Sequence, residues 1–134
     1  MVAQKGRLLL VKRWNGSAYV AVGGSREKTI TINNEPVDVT NDDSSGIRTL
    51  LEGGGITSHT IKLQGVYVDD ASVNALRVDA NTNVHNNYQL VVPGTPGRTY
   101  QGRFMLATFE ESGVHNESVM YSLTLESDGP VTIS

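Results

Sequence analysis

The residues with the most chemical potential lie in one stretch, residues 34–55, which reads NEPVDVTNDDSSGIRTLLEGGG. Three acids, Asp38, Asp42 and Asp43, stand close together in it, and three consecutive glycines end it. Clustered acids are compatible with a calcium loop, and a glycine run with a phosphate cradle. An arm that joins subunits is the third interpretation of the same stretch.

The templates for metal and phosphate loops fit this stretch poorly. A calcium loop requires glycine at about position 6 and glutamate at about position 12. Counted from Asp38, those positions hold Asp43 and Thr49. A phosphate loop opens a helix and carries Gly-Lys-Ser/Thr, whereas these glycines follow an apolar cluster. The sequence therefore predicts no metal and no cofactor here.

A catalytic constellation is also missing from the sequence. The histidines, His59, His85 and His115, lie in separate segments without the spacing of a zinc helix. Neighbouring acids such as Glu110 and Glu111 point to opposite faces of a strand. We therefore predict that the chain is not an enzyme. An enzyme or metal-dependent binder that uses Asp38, Asp42 or His115 is the third-ranked alternative.

Composition limits the functions that remain. The chain has 134 residues, a net charge of −3, 38% hydrophobic residues and no cysteine. These values describe one globular domain with a modest core, residues 1–134. The negative charge argues against an electrostatic hold on DNA or on an anionic membrane. No segment approaches the roughly 18 apolar residues of a membrane-spanning helix.

Strand patterns dominate the elements that would position these residues. Alternation or short apolar runs predict strands at 7–13, 19–22, 29–33, 36–40, 60–64 and 88–92. The dipeptide Asn15-Gly16 predicts a tight hairpin turn. Residues 99–112 and 117–127 predict a long hairpin, with Tyr121, Leu123 and Leu125 on one face. A turn at 128–130 and a last short strand at 131–133 complete the pattern.

Two helices are expected as well. One is capped by Asp69 or Asp70, runs to about Ala80, and buries a stripe of Val73, Leu76 and Ala80. The other is short, begins at Ser44 or Ser45, and ends at a Gly53 cap, with Ile47, Leu50 and Leu51 as its apolar face. The fold class is mainly β, a two-sheet sandwich or barrel with one flanking helix and a long inter-strand loop.

That long loop, residues 34–55, is hard to explain in a minimal sandwich, because connections of this length are usually functional or mobile. Its apolar face must be covered either by its own domain or by a neighbouring molecule. Exposed sheet edges also invite pairing with another chain. Both features indicate assembly, although a loop packed on its own sandwich remains the alternative.

Three stretches together carry a resemblance to a known family: AQKGRLLL at 3–10, NNEPVDVT through SGIRTLLEG at 33–53, and YSLTLESDG at 121–129. On these residues the chain resembles the major tail protein, or tail tube protein, of long non-contractile phage tails and gene transfer agents. The resemblance covers nearly the whole chain. The polar run 81–87 and the turn at 93–96 depart from the pattern.

The resemblance implies a structural virion protein whose six subunits close into a ring, with rings stacked into a hollow tail tube. It implies that DNA passes through the lumen without specific binding, and that the tube assembles in the host bacterial cytoplasm. It further implies a tape measure protein, a tail terminator and distal tail or baseplate proteins as partners, and no membrane. Another virion β-sandwich, such as a head-decoration or adhesin-like module, is the runner-up.

Under this interpretation the loop is an arm between subunits or rings, and the polar face of the long hairpin lines the lumen. The predicted contact residues of the arm are Val37, Asp38, Val39, Asp42, Asp43, Ile47, Arg48, Leu50 and Leu51. The predicted acids of the lumen are Glu110, Glu117 and Glu126. If enough of the chain's negative charge faces inward, the lumen repels DNA and lets it slide.

Overall fold

The computed structural model describes residues 9–67, 71–94, 97–113, 115 and 118–134. Within them the chain is mainly β with one α-helix, as predicted. The strands are β1 (Leu10–Trp14), β2 (Tyr19–Ala21), β3 (Ser25–Asn34), β4 (Thr57–Val66), β5 (Asn86–Val92), β6 (Arg98–Ser112) and β7 (Met120–Ile133). The helix α1 spans Ala71–Thr82, and a single 3-10 turn spans Asp42–Ser44.

The seven strands form one antiparallel sheet in the order β2-β1-β5-β6-β7-β4-β3. Two separate packed sheets are therefore not confirmed. The long β6–β7 hairpin explains the difference, because it belongs to both halves of the sheet. Strand β5 pairs with residues 98–104 of β6, whereas β4 pairs with residues 120–126 of β7.

Register shifts between Gly102 and Phe104 and between Leu106 and Thr108 lie where these two halves join. Such bulges bend a strand and increase its twist, so one hydrogen-bonded sheet curls around the core. We call β3, β4, residues 120–126 of β7 and residues 105–112 of β6 the arm-bearing half, because the 34–55 stretch leaves it between β3 and β4. Strands β1, β2 and β5 belong to the other half.

The core lies on one face of this sheet. In β7 the alternation predicted from sequence is confirmed, since Tyr121, Leu123 and Leu125 are buried and the residues between them are not. Cross-strand partners share a face, so Leu125 meets Ile61 of β4 and Leu106 of β6. The buried hydrophobic residues of the described chain form one cluster between this face and α1.

Helix α1 covers the core face. Val73 and Leu76 are fully buried and Ala80 packs against the cluster, which confirms the predicted apolar stripe. The predicted cap at Asp69 or Asp70 lies outside the described residues. No helix in the described part of the chain is long and apolar enough to cross a membrane.

Two predicted turns have different outcomes. The Asn15-Gly16 turn is confirmed: Asn15 Oδ1 accepts hydrogen bonds from the backbone N–H groups of Ser17 and Ala18, and Gly16 has φ +104°. The turn at 128–130 is wrong, because β7 continues through it to Ile133. Residues 128–130 instead form a bulge in β7, between the pairs Phe104–Ser127 and Gly102–Val131. Residues 7 and 8 of the predicted first strand lie outside the described residues.

Candidate assembly surfaces

The 34–55 stretch is a hairpin that extends the β3–β4 hairpin outward. Its backbone rungs join Glu35 N–H to Ile56 C=O, Leu51 N–H to Val37 C=O, and Val39 N–H to Thr49 C=O. Asp38 and Leu50 form an isolated antiparallel bridge between the same two segments. We call residues 35–56 the arm, because they are held to each other by their own hydrogen bonds.

The predicted short helix, which begins at Ser44 or Ser45 and ends at a Gly53 cap, is wrong. A 3-10 turn at Asp42–Ser44 stands in its place, with Asn41 as its N-cap. Asn41 Oδ1 accepts a hydrogen bond from the Asp43 backbone N–H, and Ser44 Oγ accepts one from the Asn41 backbone N–H. Together these contacts form a capping box. Ser45 then has φ 55° and ends the turn at the point where the predicted helix begins.

Glycines let the arm close against itself. A Cβ on Gly55 would lie 2.0 Å from the carbonyl oxygen of Glu35, and Gly55 has φ +75°. A Cβ on Gly54 would lie 2.9 Å from Leu51 Cδ2 and 3.2 Å from Val37 Cγ2. The close approach of the two segments at the base of the arm therefore requires glycine.

The apolar side chains of the arm are exposed in the single chain. Ile47 is 70% exposed, Leu51 52% and Leu50 42%, and Ile56 and Val39 are exposed as well. Val37 is the partly buried member of the predicted contact set, and Arg48 is exposed. An intramolecular loop packed on its own sheet would cover these side chains. The arm instead presents a cluster of aliphatic residues to the surroundings.

The three aspartates of the arm do not converge on one point. Asp38 Oδ1 accepts a hydrogen bond of 2.8 Å from the Thr40 backbone N–H, and hydrogen bonding to Thr40 lowers the pKa of Asp38 below its usual value. Asp42 and Asp43 lie in the first turn of the 3-10 segment. Within the described ranges, no group of three or more acids and histidines is placed to hold a metal ion.

On the face of the arm-bearing half that points away from the core, three neighbouring cross-strand rows consist mainly of polar side chains. The first row is Glu27, Gln64, Ser122 and Glu110; the second is Thr29, Lys62, Thr124 and Thr108; the third is Thr31, Thr60, Glu126 and Met105. We call these rows the polar face. It carries three acids and one base, a net charge of −2.

The structure places two of the three predicted lumen acids on this polar face. Glu110 is exposed, and Glu126 accepts a hydrogen bond of 3.0 Å from Thr60 Oγ1. Glu117 lies outside the described residues. Glu27 is a third acid that sequence reasoning missed, since its place became visible only from the β3–β4 register.

A buried ion pair fixes α1 to the sheet. The Arg13 guanidinium makes two hydrogen bonds of 2.8 and 2.9 Å to the Asp79 carboxylate, which also accepts from Tyr88 Oη at 3.2 Å. Hydrogen bonding to Asp79 raises the pKa of Arg13, and burial raises the pKa of Tyr88. Helical spacing could have revealed Asp79, because it falls next to the buried stripe of α1.

A second, more exposed pair joins the same helix to β6. Arg77 donates two hydrogen bonds of 2.8 and 3.0 Å to the carboxylate of Glu111. The bond to Arg77 lowers the pKa of Glu111. At the bulge in β7, His85 bonds Asp128 at 2.7 Å, and this contact lowers the pKa of Asp128. These pairs connect elements and leave the arm and the polar face free for contacts.

A shallow apolar cavity of about 310 Å³ lies beside the first turns of α1. Its lining residues come from the β1–β2 hairpin and from the helix: Arg13, Asn15, Val20, Ala71, Ser72 and Ala75. Val20 is 41% exposed there. The large exposed apolar residues of the described chain are aliphatic and include no aromatic side chain. This is unlike the groove of exposed aromatics expected of an adhesin-like module.

Comparison with known proteins identifies a family. A family model described as phage tail tube protein matches residues 1–133. The tail of an empty gene transfer agent particle, refined with C6 symmetry, is 32% identical with a TM-score of 0.91, over 98% of this chain and 99% of that chain. A chain of the native gene transfer agent virion is 30% identical with a TM-score of 0.89, over 98% and 99%.

The SPP1 tail tube shares the fold at 12% identity, with a TM-score of 0.76 over 97% of this chain and 78% of that chain. At that identity the likeness concerns the fold alone. No curated protein matches the chain. The resemblance predicted from the three sequence stretches is thereby confirmed.

Proposed function

The chain belongs to the phage tail tube protein family, and from this membership we propose that six copies close into a ring and that the rings stack into a hollow tail tube. The family is a structural one, and the chain is not an enzyme. The observation that carries the proposal is the arm, a preformed hairpin whose aliphatic side chains are uncovered in the single chain. Residues 1–134 act as one tube domain with the arm as its connector.

Ring closure follows from the two edges of the sheet. Strands β2 and β3 each have one side without a partner strand within the described chain. An unpaired edge exposes backbone donors and acceptors, and a closed ring satisfies them. The gene transfer agent tail to which the chain is similar has C6 symmetry, which supports six as the number of copies.

The polar face of the arm-bearing half faces the lumen in this arrangement. The core and α1 occupy the opposite side of the sheet, so the polar face is free to meet water in the channel. Its net charge of −2 per subunit amounts to −12 for six copies. A negative, hydrogen-bonding wall repels the phosphate backbone weakly and lets DNA travel from head to host without being held.

The finished tube is part of the particle tail and is assembled in the bacterial cytoplasm. A tape measure protein inside it, a tail terminator at one end and distal tail or baseplate proteins at the other complete the set of proposed partners. A chain of the anti-feeding prophage baseplate shares the fold, with a TM-score of 0.75 at 10% identity over 100% of this chain and 96% of that chain. Shared folds permit continuous stacking from baseplate to tube.

Negative-stain electron microscopy of the purified protein across a concentration series tests the proposal. Ile47→Asp with Leu51→Asp places two charges on the exposed apolar side chains of the arm, and we expect hollow tubes from the native chain but not from this variant. The matched control is Val78→Asp with Val84→Asp, which charges two exposed valines outside the arm. Circular dichroism must show native fold in both variants.

Equal tube formation by the arm variant and its control would show that the apolar side chains of the arm do not contribute to assembly. If the native chain forms neither rings nor tubes alone or with its baseplate partner, the tube function itself is wrong.

A further inference from the structure

We infer that the tip of the arm docks into the apolar cavity beside α1 of a second copy of this chain in the adjacent ring. The inference rests on the proposed tube function and names the surface that receives the arm. The donor side chain is Ile47, and the receiving residues are Val20, Ala71 and Ala75.

The arm and the cavity lie at opposite ends of the subunit. The arm leaves the sheet where Asn34 pairs with Thr57, while β4 ends at Val66. Val66 N–H donates to the carbonyl of Gly24, and the Gly23 N–H donates to Ser72 Oγ at the start of α1. The cavity around Ser72 is therefore at the end where β4 finishes.

Stacked rings repeat along the tube axis in one direction, so the end of one subunit that bears the arm meets the opposite end of a subunit in the next ring. A heterologous contact of this kind extends without limit, as a tube requires. The arm projects far beyond the sheet, since the eight residues from Asn34 to Asn41, before the turn at its tip, span roughly 25 Å when extended.

Charge favours docking of the arm on the body of the neighbouring subunit, which is the chain outside residues 35–56, rather than on the neighbour's arm. The arm holds five acids and one base, Glu35, Asp38, Asp42, Asp43, Glu52 and Arg48, a net charge of −4. The whole chain has −3, which leaves +1 for the remainder. Two arms repel each other, whereas an arm and a body do not.

The chemistry of the two surfaces also matches. Ile47 is 70% exposed at the tip of the arm, and the cavity of about 310 Å³ has an aliphatic wall with room for such a side chain. Burial of both surfaces removes apolar area from water, which stabilises the contact. Arg13 at the rim of the cavity keeps its bond to Asp79 and needs no rearrangement.

The absence of cysteine from the chain gives a direct test. A variant with Ile47→Cys and Val20→Cys is oxidised mildly at increasing protein concentration and examined on a non-reducing gel. A disulfide requires Cα atoms within roughly 7 Å, so it reports contact and not mere proximity. Because each subunit then has one donor and one acceptor, docking yields a ladder of species beyond the dimer.

The control pair is Ile47→Cys with Ile133→Cys, because Ile133 is comparably exposed and lies at the arm end of the sheet. We expect about tenfold more species beyond the dimer from the docking pair than from the control, since docking raises the effective concentration of the two thiols. Each single-cysteine variant can form dimers at most.

The outcomes separate this inference from the tube function. Hollow tubes in the microscope without a ladder, or a stronger ladder from the control pair, would show that the arm docks elsewhere while the tube function stands. Neither tubes nor a ladder at any concentration would overturn both. A ladder in preparations of tubes establishes the docking site.

Discussion

Two ion pairs on α1 differ in burial although both are bidentate. The side chains of Arg13 and Asp79 are 15% and 7% exposed, whereas those of Arg77 and Glu111 are 42% and 33% exposed. Removal of one partner from a buried pair leaves an uncompensated charge out of water, whereas an exposed partner is rehydrated. The first pair therefore determines how firmly the helix holds β1 and β5.

We expect Asp79→Ala to lower the free energy of unfolding by about 3–5 kcal/mol, because it leaves the Arg13 guanidinium and the Tyr88 hydroxyl without their buried acceptor. Arg77→Ala, a matched change on the same helix, should cause a much smaller loss. Urea unfolding followed by circular dichroism measures both. Comparable losses for the two variants would mean that burial does not distinguish the pairs.

At the scale of elements, the arm depends on glycine for its shape. Gly53 and Gly55 both have φ +75°, but a Cβ meets nothing within 4 Å at Gly53 and meets the Glu35 carbonyl oxygen at 2.0 Å at Gly55. An alanine at either position would therefore meet the same backbone strain, but it would meet a steric clash only at Gly55.

Gly53→Ala should cost about 1–2 kcal/mol locally through its positive φ alone. Gly55→Ala should in addition push the two segments of the arm apart and weaken its backbone rungs. Hydrogen exchange at the amides of Val39 and Leu51 reports this, and we expect faster exchange in Gly55→Ala than in Gly53→Ala. The same exchange rates in both variants would contradict the steric account.

The arm also shows where sequence reasoning succeeds and where it fails. Most of the strands, α1 and the β6–β7 hairpin were predicted because alternation and helical spacing are local signals. The strand predicted at 36–40 is wrong, because only the isolated bridge between Asp38 and Leu50 lies there. The spacing of Ile47, Leu50 and Leu51 imitates a helix, yet this segment pairs with residues 37–39 across the hairpin. Non-local pairing overrides local periodicity, and the left-handed Ser45 ends the turn before a helix can form.

The single curled sheet was missed for a related reason. Sequence patterns show where strands lie but not which strand crosses between two halves, and β6 and β7 cross at bulges that leave little trace in hydropathy. The role of the arm was predicted from its unexplained length, whereas the cavity near Val20 combines residues from β2 and α1 that only the fold brings together.

At the scale of the whole molecule, the proposed function requires a tube that guides DNA without binding it. The polar face carries Glu27, Glu110 and Glu126 against a single base, Lys62. A reversal of one acid in each of six subunits changes the charge of a ring by +12. Since the polar face of a ring carries −12, this reversal brings its net charge to zero and removes the repulsion of DNA. It also places six lysine side chains where they can pair with the phosphate backbone, and these contacts retain DNA.

We therefore expect Glu110→Lys to leave tube formation intact but to slow DNA release from particles, and to do so less at high salt, since bound phosphate contacts weaken as salt rises. The control is Asn87→Lys with Thr132→Lys, which adds the same +2 per subunit on exposed residues of the half that lacks the arm. Fluorescence of a DNA dye during triggered release measures both.

If the control slows release as much as Glu110→Lys, the effect belongs to net charge and the polar face does not line the lumen. If neither does, electrostatic repulsion by the wall is not what lets DNA slide, and its hydrogen-bonding surface of threonine, serine and glutamine is the remaining physical basis.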